Sequence, residues 1–289
     1  MCESDDFGGF ARAFGVTRRK FGAMTLGAGL AAALPKLSFG ADTKGQDLDI
    51  KTPAGTCDAY LVHPSKGKHP AVLIWPDIFG LRPAFKDMAT RLAGAGYSVL
   101  VVNPFYRTRR APTAPEHPDF NDPATRDLLM GLKNTLTAET TQADAQAFIS
   151  FLDQQPAVDV KKRVGTTGYC MGGPLVMRTA AAVPDRVGAA ATFHGGGLVT
   201  DKPDSPHLLI PRMKAQFLIA IAANDDAKEP ASKDTLRKAF EQAKLPAEIE
   251  VYAGTQHGWC PIDSPVYDHD QAEKAWSRML ELFRRSLPA

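Results

Sequence analysis

An α/β fold, with a mostly parallel central sheet covered by helices on both faces, is what this sequence predicts, and three observations predict it. Short, mostly apolar runs of buried-strand type recur along the chain: Ala71-Val72-Leu73-Ile74-Trp75, Ser98-Val99-Leu100-Val101-Val102, and residues 189–193, 215–222 and 249–252. Helix-period stretches lie between them, and strands alternating with helices at this rhythm imply right-handed crossovers and a parallel sheet. With 289 residues and 44% hydrophobic content, the chain has apolar material for one large core.

The elements follow in order. Residues 1–41 read as a removable leader: Thr17-Arg18-Arg19-Lys20-Phe21 precedes a small, apolar stretch from Gly22 to Leu34 and a small-residue end near Ala41. This pattern resembles a twin-arginine export signal, which implies the twin-arginine export machinery as a partner and a periplasmic location. The stretch before Pro35 is shorter than the ~20 residues a bilayer span needs, so no stable membrane anchor is expected. Removing the leader takes away five basic and three acidic residues and leaves a body, residues 42–289, with equal numbers of each. A neutral body without a basic cluster offers nucleic acid no electrostatic footprint.

Residues 48–52 and 56–63 alternate as an antiparallel pair joined around Pro53-Ala54-Gly55. Residues 84–94 put Phe85, Met88, Ala89 and Leu92 on one helical face, and residues 137–153 do the same with Ala145, Phe148, Ile149 and Leu152. Residues 175–183, 232–243 and 269–285 read as further helices. In such a sheet, chemistry gathers on loops beyond the carboxyl ends of the strands.

One of those loops carries the sharpest motif, Gly168-Tyr169-Cys170-Met171-Gly172-Gly173, between the run Arg163-Val164-Gly165-Thr166-Thr167 and the helix-like stretch from Leu175 to Val183. A G-x-C-x-G elbow holds its central side chain in a strained, exposed turn, with glycines where a Cβ would clash. Cys170 then stands at a helix N-terminus, which favours thiolate over thiol. The plainer alternative is a small buried cysteine beside a glycine-rich turn. Two further loops weigh against it: His257 follows the last strand and supplies a base, and Asn224-Asp225-Asp226 follows the strand before and supplies a carboxylate to orient it. Asp225 is preferred to Asp226 because it comes first off the strand. Nucleophile, acid, histidine is the chain order of α/β-hydrolases. Of the other histidines, His194 also ends a strand and is placed to line a pocket.

The four cysteines, Cys2, Cys57, Cys170 and Cys260, form no CxxC pair and have no His at metal-ligand spacing, so neither a metal site nor a cofactor is expected. Without a CxxC partner for Cys170, thiol redox work is the weakest reading. Pairing of Cys57 with Cys260 stays open at this point.

The elbow, together with Asp77-Ile78-Phe79-Gly80, resembles the dienelactone hydrolase family from about Leu48 to the C-terminus. The resemblance implies the α/β-hydrolase fold and hydrolysis of an ester or lactone by Cys170, His257 and Asp225. It further implies an oxyanion hole from the Ile78 and Met171 amides, and an acidic residue, here Asp77 in place of the usual Glu, touching the resting thiol. Family members also clamp a substrate carboxylate with two arginines. One position corresponds to Arg107, with Arg109 and Arg110 nearby and a solvated loop as the alternative; the other is Pro261. Half of the clamp is missing, which points to a related small ester or lactone rather than a dienelactone. The competing class is a non-catalytic periplasmic small-molecule binding protein on the same fold.

Overall fold

The computed structural model describes residues 40–116 and 118–287. The predicted leader therefore lies outside the described residues, apart from Gly40 and Ala41. Eight strands form one sheet: β1 (Thr43–Thr52), β2 (Gly55–Pro64), β3 (Ala71–Trp75), β4 (Ser98–Val102), β5 (Val164–Tyr169), β6 (Val187–Phe193), β7 (Gln216–Ala222) and β8 (Ala247–Tyr252). Their spatial order is β1-β2-β4-β3-β5-β6-β7-β8. The β1–β2 hairpin and the β2–β4 pairing are antiparallel, and every pairing from β4 to β8 is parallel.

The described residues form seven helices, α1 (Pro83–Gly94), α2 (Pro123–Lys133), α3 (Ala138–Asp153), α4 (Gly172–Ala182), α5 (Ala223–Lys228), α6 (Ser232–Gln242) and α7 (His269–Ser286), of which α2 packs not on the sheet but on Ile78, Phe105 and Met171 in the loops beyond it. Because a strand's side chains alternate between faces, each central strand feeds two cores. In β3, Ala71, Leu73 and Trp75 join Phe148 of α3, Leu175 and Val176 of α4 and Phe240 of α6. Val72 and Ile74 join Phe85 and Leu92 of α1 and Met279 and Phe283 of α7. Burial on both faces is why these strands read as continuous apolar runs. Thr137, outside α3, accepts from the Thr140 amide while Thr140 caps back, a capping box that starts the helix where its sequence periodicity begins.

Three elements were not anticipated: α2, α5 and a 3-10 turn at Pro206–Arg212. Helix α2 had a local signal, Asp122 accepting from the Thr125 amide with Pro123 at the first helical position. Helix α5, with six residues, is too short for periodicity to register. Cys57 and Cys260 are both free thiols, buried in the two cores on opposite faces of the sheet. That separation rules out their pairing.

Candidate active site

The elbow between β5 and α4 has the strained geometry its sequence implies. Cys170 holds φ +52°, in the left-handed region that side chains other than glycine rarely adopt. The flanking glycines are demanded by close approach: a Cβ on Gly168 would lie 2.4 Å from the Gly172 carbonyl oxygen, and one on Gly172 would lie 2.4 Å from that of Trp75. Both neighbours are backbone and cannot swing aside. Trp75 Nε1 donates to Thr179 Oγ1 at 3.1 Å, tying α4 to β3 behind the turn.

Asp225 leaves the end of β7 in the first turn of α5, and its Oδ2 lies 2.7 Å from His257 Nδ1. The two loops are pinned together: Asn224 Oδ1 accepts the His257 amide at 2.9 Å, and Thr255 Oγ1 accepts that of Ala223 at 3.2 Å. Asp226 turns the other way, to Lys233 Nζ at 2.6 Å. Burial works against a charged His257; hydrogen bonds to Asp225 and to Cys170, with the charges of both, outweigh it and push the imidazole up to about 10. Cys170, His257, Ile78 and Met171 line one cleft of about 640 Å³. Among the described residues, the Ile78 and Met171 amides donate no hydrogen bond within the protein, leaving two N–H groups free on residues that line the same cleft as Cys170.

His194 also lines the cleft. It is buried, with φ +42°, and its Nδ1 accepts the Cys170 amide at 3.1 Å, which fixes the proton on Nε2. Its ring packs edge-on against His257 at 5.0 Å. Burial, then the neighbouring His257, holds it well below the usual histidine range, so it is a neutral brace for the elbow rather than a second base. Its strand-end position was the signal available in the sequence.

Two expectations need correction. Asp77 lies in the cleft but is not the partner of the thiol: its oxygens accept from Arg82 Nη1 at 2.6 Å and Nη2 at 2.9 Å, and its Oδ1 also accepts the Phe79 amide at 3.0 Å. The short carboxylate is captured by the arginine five residues on. Arg107 is not a clamp: both terminal nitrogens reach the buried carboxylate of Asp144 on α3, at 2.6 and 2.7 Å, and Tyr106 donates to the same group at 2.6 Å. Arg110 pairs with Asp49 at 2.7 Å. Neither of them, nor Arg109, lines the cleft. Cys57 donates to the Asp58 and Asn103 carbonyls at 3.4 Å, and burial pushes its thiol up; Cys260 is raised by burial too. Cys170 is the only cysteine among the described residues that lines the cleft.

Comparison with known proteins identifies the family and the fold. The model of the dienelactone hydrolase family matches residues 57–287. A protein of Escherichia coli K12, provisionally named a carboxymethylenebutenolidase, is 30% identical over 233 residues, covering 78% of this chain and 82% of that protein. A Bradyrhizobium protein, provisionally named a 2-oxo-3-(5-oxofuran-2-ylidene)propanoate lactonase, is 25% identical over 240 residues, 82% of this chain and 92% of that one. The crystal structure of a Klebsiella pneumoniae protein, provisionally titled a dienelactone hydrolase, superposes with a TM-score of 0.72 at 24% identity, over 84% of this chain and 98% of that one. The chain belongs to the dienelactone hydrolase family and is a hydrolase of carboxylic ester bonds on the α/β-hydrolase fold.

Proposed function

We propose that this chain cleaves a small ester or lactone through a Cys170–His257–Asp225 triad. Cys170 sulfur, as thiolate, attacks the carbonyl carbon, and the carbonyl electrons move to an oxyanion held by the Ile78 and Met171 amides. As the intermediate collapses, the His257 imidazolium gives its proton to the leaving alkoxide and a thioester remains. Neutral His257 then takes a proton from water; the hydroxide displaces the thiolate, releases the acid and restores the resting pair. Asp225 orients the ring throughout. The observation that carries this reading is His257, hydrogen-bonded to Asp225 at 2.7 Å and lining, together with Cys170, a cleft in which the Ile78 and Met171 amides have no partner among the described residues.

The test is turnover of short-chain p-nitrophenyl esters and a simple lactone before and after treatment with iodoacetamide. Alkylation should abolish turnover, and a competing ester should slow its onset. Full activity in protein alkylated at Cys170 would sink the reading.

Export by the twin-arginine route, with work in the periplasm, is part of the same proposal and rests on the Arg18-Arg19 leader. Changing both to Lys should hold unprocessed precursor in the cytoplasm. Normal processing of that double variant would refute the route.

A further inference from the structure

The charges around the cleft bear on which acyl groups enter it. Besides Cys170 and the histidines His194 and His257, the described charged residues lining it are Asp77, Arg82, Asp119, Lys133 and Asp263. Arg82 is forked between two carboxylates. Its Nη1 and Nη2 bind Asp77 at 2.6 and 2.9 Å, and its Nε and Nη2 bind Asp263 at 2.6 and 3.0 Å. The guanidinium also lies over the Phe85 ring at 4.8 Å. Burial disfavours the Arg82 charge, and the two carboxylates outweigh it and keep the guanidinium protonated. Burial raises Asp77 from the ordinary carboxylate value, while the Arg82 charge and the hydrogen bonds from Arg82 and the Phe79 amide oppose that shift; with both carboxylates ionised, one cation shared by two anions leaves the bridge with a net negative charge.

That charge is partly sheltered, since the Arg82 side chain is 16% exposed and that of Asp77 is 9% exposed. In the proposed resting state the Cys170 thiolate, the His257 imidazolium and the Asp225 carboxylate together carry one further negative charge. The arginine that would have balanced them, Arg107, is spent on Asp144 outside the cleft. Lys133, at the exposed end of α2, is the one lining cation without an ion pair among the described residues. Asp119 stands at the same rim. Apart from Asn121 and Ser264, the remaining surface is mostly apolar, with Phe79, Phe120, Met130, Met171 and Val266.

We infer that the Asp77–Arg82–Asp263 bridge makes this cleft select uncharged acyl groups and disfavour substrates that carry a carboxylate on the acyl chain. This rests on the proposed thiol hydrolysis and names its substrate class. A carboxylate seated near Cys170 meets the excess charge of the bridge with no free guanidinium to receive it. At a separation of ~8 Å and an effective dielectric constant of ~20 to 30, one uncompensated charge changes relative binding by roughly ten- to thirtyfold.

The test uses two p-nitrophenyl esters of adipic acid, one with its far carboxyl free and one with it capped as the methyl ester, followed by p-nitrophenol release at pH 7.5. The wild type should process the capped ester with at least about tenfold higher kcat/KM. Asp263→Asn, which frees one arm of Arg82, should narrow that ratio about threefold or more, while Lys133→Ala should leave it unchanged or widen it. High salt should narrow the wild-type ratio, because screening weakens the repulsion, and this reading needs no variant to fold. Wild-type preference for the free carboxylate, lost in Lys133→Ala, would overturn the inference while leaving the thiol mechanism standing. A ratio insensitive to both salt and Asp263→Asn would also overturn it. Absence of turnover on both esters would bring down the hydrolytic reading of the site and the inference with it.

Discussion

Replacing Cys170 by alanine should lower kcat on a p-nitrophenyl ester by at least about a thousandfold while leaving the fold in place. The cleft contains no other thiol among its described lining residues. Alanine at φ +52° bears the same backbone strain as cysteine, and the lost sulfur is only partly buried, so the melting temperature should move by a few degrees at most. His257→Asn should cost a comparable factor, and the double variant little more, because members of such a triad act as a unit. Esterase activity surviving in purified Cys170→Ala would mean the chemistry lies elsewhere.

The second large effect concerns pH. His257 sits at about 10, with burial opposing its charge and Asp225 and Cys170 supporting it. In the proposed mechanism its proton is the one given to the leaving group, so kcat/KM should persist through neutral pH and fall as pH rises toward 10. Asp225→Asn removes a hydrogen bond and a negative charge, both of which raise His257, so the alkaline limb should move down by a unit or more and kcat should fall at least about a hundredfold. Asp226→Asn should leave the limb in place, because that carboxylate is engaged with Lys233. The same linkage acts on stability. Folding raises His257 above its free value of 6.5, so its contribution is full below that pH and fades as pH rises through about 10. The pair is part-exposed, so solvent screening keeps that contribution modest. An alkaline limb that ignores Asp225→Asn and shifts with Asp226→Asn would reverse the assignment.

What could be read from the sequence divides along physical lines. Strands β3 and β4 were legible to the residue because burial on both faces writes them as uninterrupted apolar runs. The elbow was legible because its glycines answer to backbone contacts within a few residues, as with Gly168 against Gly172. Asp225 and His257 were legible as strand-end residues, though only the fold distinguishes Asp225 from Asp226. Arg107 was misread because its partner Asp144, 37 residues on, looks in sequence like part of a solvated helix face and is in fact buried. The Arg82 bridge was invisible for the same reason at greater range: Asp263 lies 181 residues away and reaches Arg82 only when the loop after β8 folds over the loop after β3. Ion pairs between distant segments carry no local pattern, whereas burial periodicity and turn chemistry do.

The central claim is that catalysis passes through a thioester on Cys170, and the most direct measurement is the mass of the enzyme quenched in acid during turnover of a slowly deacylating aryl ester, followed by peptide mapping. The account predicts an added acyl mass on the peptide containing Cys170, absent from Cys170→Ala and released by hydroxylamine at neutral pH. Rapid turnover with the acyl group mapped to another residue, or with Cys170→Ala acylated to the same extent, would contradict it.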